Sequence, residues 1–131
     1  MKNAVHHIEL WTTNMEQAAP SFDWLLTSLG WSANHDPAWT VGRTWRHPSG
    51  VYLVLEQSPD VSGPHERTRA GLNHLALRAT DRAQLDHLRA EAAHYGWREL
   101  FAEHYPHAGG PHHTALFLVN EEGFEIELVA E

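Results

Sequence analysis

The sequence predicts an α+β fold built from two βαβββ modules in tandem, and three observations carry that reading. The segment HHIELWTTNMEQ (6–17) resembles NHLALRATDRAQ (73–84), placing His7 on His74, Ile8 on Leu75 and Leu10 on Leu77. Each copy runs into a helical stretch that ends in Gly-Trp, at Gly30-Trp31 and Gly96-Trp97. PSGVYLVLE (48–56) then matches EEGFEIELV (121–129), with Gly50 on Gly123. An internal repeat of this length means one supersecondary unit used twice.

The elements follow in order within each half. A strand at about 5–12 alternates apolar and polar residues with period two. A helix over about 15–29 follows, with Asn14 as N-cap and Gln17 at N3; Asp81 and Gln84 repeat that capping box. Met15, Ala18, Ala19, Phe22, Leu25, Leu26 and Leu29 form the apolar stripe of the first helix, and Leu85, Leu88, Ala92 and Tyr95 that of the second. Pro20 falls near enough the start of its helix to be tolerated. Gly30 and Gly96 suit C′ caps. Three shorter strands complete each half, at 31–40, 42–47 and 51–57, then 97–103, 113–119 and 123–129. The polar segment 58–70, with its Pro and Gly, reads as a linker, so the modules are 1–57 and 71–131. Residues 104–112 read as a loop.

Composition narrows the function. A formal charge of −8 argues against nucleic acid as partner. Lys2 is the sole lysine, so neither a lysine Schiff base nor a lysine phosphate clamp is expected. Without cysteine there is no disulfide and no thiolate chemistry. No apolar run reaches membrane-spanning length, and the N-terminus lacks a signal-peptide core, so a cytoplasmic location is expected. No GxSxG, P-loop or GxGxxG follows a strand. What stands out is 12 histidines and 6 tryptophans.

Strand parity sorts these residues. On the first strand Ile8 and Leu10 oppose His7, Glu9 and Trp11. On its repeat Leu75 and Leu77 oppose His74, Ala76 and Arg78. On the last strand Phe124, Ile126 and Leu128 oppose Glu125 and Glu127. On the strand before the linker Leu53 and Leu55 oppose Tyr52, Val54 and Glu56. One face of each sheet is aliphatic and packs under a helix; the other is mixed and polar and is expected to line a shared cavity. A histidine at the same place in both halves, with Glu127 on a matching strand, is the donor set of a 2-His-1-carboxylate metal site.

His7-Ile8-Glu9-Leu10 at the start, Gly71-Leu72-Asn73-His74-Leu75-Ala76-Leu77 in the middle and Glu122-Gly123-Phe124-Glu125-Ile126-Glu127-Leu128 at the end resemble the vicinal oxygen chelate superfamily of glyoxalases, bleomycin-resistance proteins and extradiol dioxygenases. The resemblance covers nearly the whole chain. It implies paired βαβββ modules in a cupped, half-open barrel, a divalent metal (Zn, Fe, Ni or Mn), and His7, His74 and Glu127 as its ligands. It also implies a small-molecule substrate and an occasional homodimer. A fourth ligand found in many members falls, by symmetry with Glu127, on Val54, which cannot ligate. That favours the three-ligand pattern of fosfomycin-resistance and dioxygenase-type members over glyoxalase I.

Around the expected cavity, Glu56, Glu9 and His107 are candidates to move a proton. Trp11, Arg78, Tyr105 and Trp45 are candidates to bind substrate. The loop His104–His113, with four histidines and a Gly-Gly hinge, has the composition of a lid. His113 has a strand parity the sequence does not settle. Two readings follow: a metal-dependent enzyme stabilising an enolate or oxyanion, or a bleomycin-resistance-type protein that sequesters an aromatic or cationic molecule without catalysis.

Overall fold

The computed structural model describes residues 2–131 and divides into two compact units, one up to His65 and one over Glu66–Glu131. The first unit contains β1 (His7–Trp11), α1 (Met15–Ser28), β2 (Ser32–Ala33), β3 (Gly42–Arg46) and β4 (Tyr52–Glu56). The second contains β5 (Leu75–Arg78), α2 (Arg82–Glu91), β6 (Trp97–Leu100), β7 (Thr114–Asn120) and β8 (Glu125–Ala130). Among the described residues each unit holds one four-stranded mixed sheet, ordered β1-β4-β3-β2 and β5-β8-β7-β6. The βαβββ order is thus present twice. Among the described residues no helix is long and apolar enough to cross a membrane.

The helix ends form as their residues dictate. Asn14 Oδ1 accepts from Gln17 N at 3.2 Å, and Asp81 Oδ1 from Gln84 N at 2.9 Å. The reciprocal half of the α2 box is shifted: Gln84 Oε1 accepts from Thr80 N at 2.7 Å, one residue before the cap. At the start of α1, Met15 N donates to Gln57 Oε1 at 2.8 Å. α2 tightens into a 3-10 turn over Ala92–Tyr95 before Gly96, whose φ of 86° ends it.

Register fixes the faces. In the first sheet His7 lies opposite Tyr52, Glu9 opposite Val54 and Trp11 opposite Glu56. In the second, Ala76 lies opposite Glu127 and Phe117 opposite Glu127 from the other side. His7 and His74 therefore occupy equivalent places, and Val54 and Glu127 do too, as the repeat requires. The helix-side faces are aliphatic: Leu10, Leu53 and Leu55 with Phe22, Leu25 and Leu26 of α1, and Leu116, Leu118, Ile126 and Leu128 with Leu85 and Leu88 of α2. Each fully buried leucine adds about 1.5–3 kcal/mol to its unit's stability.

Two strands are shorter than expected. The span 31–40 is extended only at Ser32–Ala33, because Asp36 turns the chain: its Oδ1 accepts from Ala38 N at 2.9 Å and its carbonyl from Trp39 N at 3.0 Å. The Trp39 ring then lies over Gly42, where a Cβ would meet it at 2.2 Å. The span 97–103 stops at Leu100 because Phe101 adopts φ 57°, outside the β region.

A buried carboxylate between two imidazoles

The second face of the β5–β8 sheet is mixed, and much of it is buried. Leu100, Ala115, Phe117 and Val119 form a buried cluster there, with Ala108 and Val129 packed against it. Two carboxylates sit on that face, Glu125 at 4% exposure and Glu127 at 6%. A buried charge needs a partner. Glu125 receives Arg67 Nη1 at 2.8 Å, from the segment read as a linker. Glu125 is thus buried and paired.

Glu127 is held by two histidines instead. His74 Nε2 lies 3.1 Å from Oε1. His113 Nε2 is hydrogen-bonded to Oε2. The His74 ring also meets the Phe117 ring edge-on, with centroids 6.1 Å apart.

The hydrogen bonds behind His74 determine its tautomer. Asn73 Nδ2 donates to the Arg67 carbonyl at 3.0 Å, which fixes the amide and turns Oδ1 toward His74. His74 Nδ1 lies 2.7 Å from that Oδ1 and must donate to it. In the neutral ring Nε2 then carries a lone pair, yet it faces a carboxylate oxygen. Two acceptors at that distance require a cation between them, either a proton or a metal ion. The spacing suits a metal: with bonds near 2.0–2.2 Å, two ligands of one ion lie roughly 3–3.5 Å apart. An outer N–H given to a carbonyl is also the usual support of a ligating imidazole. Among the described residues, however, no group of three His, Cys, Asp or Glu side chains is gathered as a cage, so the fit rests on this pair.

The remaining candidates fall into distinct places. His7 is exposed; its ring stacks on Tyr52 at 4.9 Å and 8°, and its Nδ1 meets His6 Nδ1 at 2.8 Å. Arg46 lies over the same Tyr52 ring at 4.8 Å. Glu9 accepts from Trp11 Nε1 at 2.6 Å, and both side chains share a strand face with His7. Glu56 ends β4 half-buried on that face. Arg78, largely exposed, lies 3.9 Å from Glu131. His107 Nδ1 donates to the His113 carbonyl at 3.2 Å.

Two expected substrate-binding residues are placed elsewhere. Trp45 pairs with Leu53 and so lies on the helix side; it is 0% exposed and donates Nε1 to Asp23 of α1 at 2.9 Å. Tyr105 turns toward α2. Its hydroxyl donates to Asp86 Oδ1 at 2.7 Å, and Arg82 and Arg89 lie 5.2 Å and 4.2 Å from its ring. Burial, then the Asp86 carboxylate, push the phenol up to about 12, which suits it poorly to proton transfer near neutrality.

That shift has a sign. The folded chain keeps the Tyr105 proton where an unfolded one, with a phenol near 10, has released it, so the folded state binds more protons and stability falls as pH rises. The contribution is complete below about pH 10 and is lost through about pH 12. Tyr105→Phe is expected to flatten the decline of melting temperature across that window. An unchanged slope would contradict the packing described for Tyr105.

His113 is the site residue the sequence left undecided. It shares parity with Ala115, Phe117 and Val119, hence with Glu127. The run Ala115–Asn120 is buried throughout, so polarity does not alternate along β7 and cannot reveal its faces.

Comparison with known proteins agrees with this architecture. Residues 6–117 match the family model of the Glyoxalase/Bleomycin resistance protein/Dioxygenase superfamily. The uncharacterised protein YqjT of Bacillus subtilis (strain 168) is 34% identical over 128 residues, spanning 96% of this chain and 98% of that one. A candidate glyoxalase from Bacillus halodurans superposes with a TM-score of 0.88 at 33% identity, covering 98% of this chain and 96% of that one. A glyoxalase/bleomycin resistance protein from Albidiferax ferrireducens T118 superposes with a TM-score of 0.77 at 16% identity, covering 98% and 99%. With its two βαβββ units and its match over most of its length, the chain belongs to the Glyoxalase/Bleomycin resistance protein/Dioxygenase superfamily.

Proposed function

We propose that the chain is a metal-dependent enzyme of this superfamily acting on a small oxygen-bearing molecule. His74 and Glu127 are donors to a divalent ion such as Zn, Fe, Ni or Mn. One observation carries the reading: with Nδ1 donating to Asn73, the neutral His74 ring directs the Nε2 lone pair at a buried carboxylate 3.1 Å away. Once bound, such an ion supplies Lewis-acid polarisation of substrate oxygens. The chain's own contribution is orientation and exclusion of water. Asn73 fixes the His74 ring, and Phe117, opposite Glu127 in the sheet, meets that ring edge-on. His107, in the segment before β7, is the side chain of this unit proposed to hold and move a proton.

Cobalt(II) tests this, because its visible bands report coordination directly. Titration of tag-free protein is expected to saturate at about one ion per chain. His74→Ala is expected to remove the bands. Featureless spectra, or bands of equal strength in wild type and His74→Ala, would overturn the proposal.

The exposed indole of Trp11 (41%) beside His7 and Glu9 favours a second reading, a protein that binds aromatic molecules without catalysis. Quenching of tryptophan fluorescence by aromatic cations in chelator-treated protein, abolished by Trp11→Ala, would support it over the first.

A further inference from the structure

We infer that His113 is the positioning residue of the site: it holds Glu127 Oε2 so that Oε1 stays turned toward His74 and the ion. This rests on the metal-binding reading of His74 and Glu127. A carboxylate with one oxygen tied to an N–H donor presents the other in a fixed direction, and outer partners of this kind commonly change metal affinity 10–100-fold.

The segment before β7 is built to deliver that imidazole. It is a chain of turns rather than an open lid: His107 N bonds to the His104 carbonyl at 2.8 Å, Gly110 N to His107 at 3.0 Å, and His113 N to Gly110 at 3.1 Å. Ala115 N bonds back to the Pro106 carbonyl at 3.0 Å, and Ala108 packs on the cluster beneath. The His107 ring holds the His113 carbonyl. Gly109 is pressed against the ring itself, where a Cβ would lie 2.6 Å from His113 Cδ2. Any side chain at 109 must displace the imidazole or the turn. Three separate contacts therefore converge on the placement of one histidine whose Nε2 ends on Glu127.

Cobalt(II) affinity, measured by competition with a chelator, and the cobalt visible spectrum test the role in three variants. His113→Ala is expected to weaken binding about 10–100-fold and to alter the bands. His113→Gln, whose amide N–H can stand in for Nε2–H, is expected to restore most of the affinity. Gly109→Ala, which removes no histidine from the sequence but crowds the His113 ring, is expected to weaken binding in the same direction as His113→Ala. Equal affinity and spectrum in wild type and His113→Ala would overturn the inference while leaving the metal site standing. Absence of cobalt binding by wild type would overturn both. Should His113→Ala fail to fold by circular dichroism, the other two decide: weakened binding in Gly109→Ala with near-normal binding in His113→Gln supports the role, and unchanged binding in both refutes it.

Discussion

Glu127→Gln is expected to abolish metal binding while leaving the second unit as well folded as before. The two halves of this prediction come from one geometry. Glutamine has the shape of glutamate but carries no charge, so the donor pair loses its anion, and a loss of at least about 100-fold in affinity is expected, beyond that of an outer partner. The fold is spared because the amide suits its neighbours. Its oxygen can accept from His113 Nε2, and its NH₂ can donate to the lone pair that Asn73 leaves on His74 Nε2. Both imidazoles are then satisfied without a cation. Metal-free Glu127→Gln is accordingly expected to match or exceed metal-free wild type in denaturant midpoint. A variant that both binds cobalt normally and loses stability would mean that Glu127 serves only as a structural anchor for two histidines.

Trp45→Ala is expected to cost about 3–5 kcal/mol of the first unit's stability, read as a shift of its urea midpoint. The ring is wholly buried between β3 and α1, and its N–H is spent on Asp23. Truncation removes the packing, leaves a cavity and strands the Asp23 carboxylate without its indole donor. Trp45→Phe keeps most of the packing and loses the hydrogen bond, so about 1 kcal/mol is expected, plus the reduced ring volume. Trp11→Ala, at an exposed position, is expected to stay within about 0.5 kcal/mol. A near-neutral Trp45→Ala would contradict the assignment of this indole to the core.

The contrast between these tryptophans shows which parts of the molecule the sequence made legible. The repeat was legible because it recurs at the level of single positions: His7 and His74, Val54 and Glu127, Gly30 and Gly96 fall where a shared unit places them. Parity was legible on β1, β4, β5 and β8, where polar residues interrupt apolar ones. It failed on β3 and β7 for different reasons. β3 carries Arg43 and Trp45 on one face and Thr44 and Arg46 near the other, so polarity does not say which face is inside; only the pairing of Trp45 with Leu53 does. β7 is apolar on both faces, so His113, two residues before Ala115, could not be assigned. Tyr105 and Arg67 were beyond reach for another reason. Both lie in irregular segments, where a side chain's direction depends on tertiary contacts, here Asp86 for one and Glu125 for the other. The His74–Glu127 pair could be anticipated from strand parity, but the tautomer that gives it chemical meaning required Asn73 and Arg67 in place.

The central claim, that the His74–Glu127 pair binds a divalent ion, is tested most directly by elemental analysis of tag-free protein. Wild type and Glu127→Gln would each be supplemented with Zn, Ni, Mn or Fe(II) and then stripped of loosely held ions by gel filtration. The comparison is discriminating because Glu127→Gln keeps all 12 histidines and therefore every adventitious surface site. The expected result is about one ion per chain in wild type and background levels in the variant. Equal metal content in the two proteins, whether high or low, would contradict the claim.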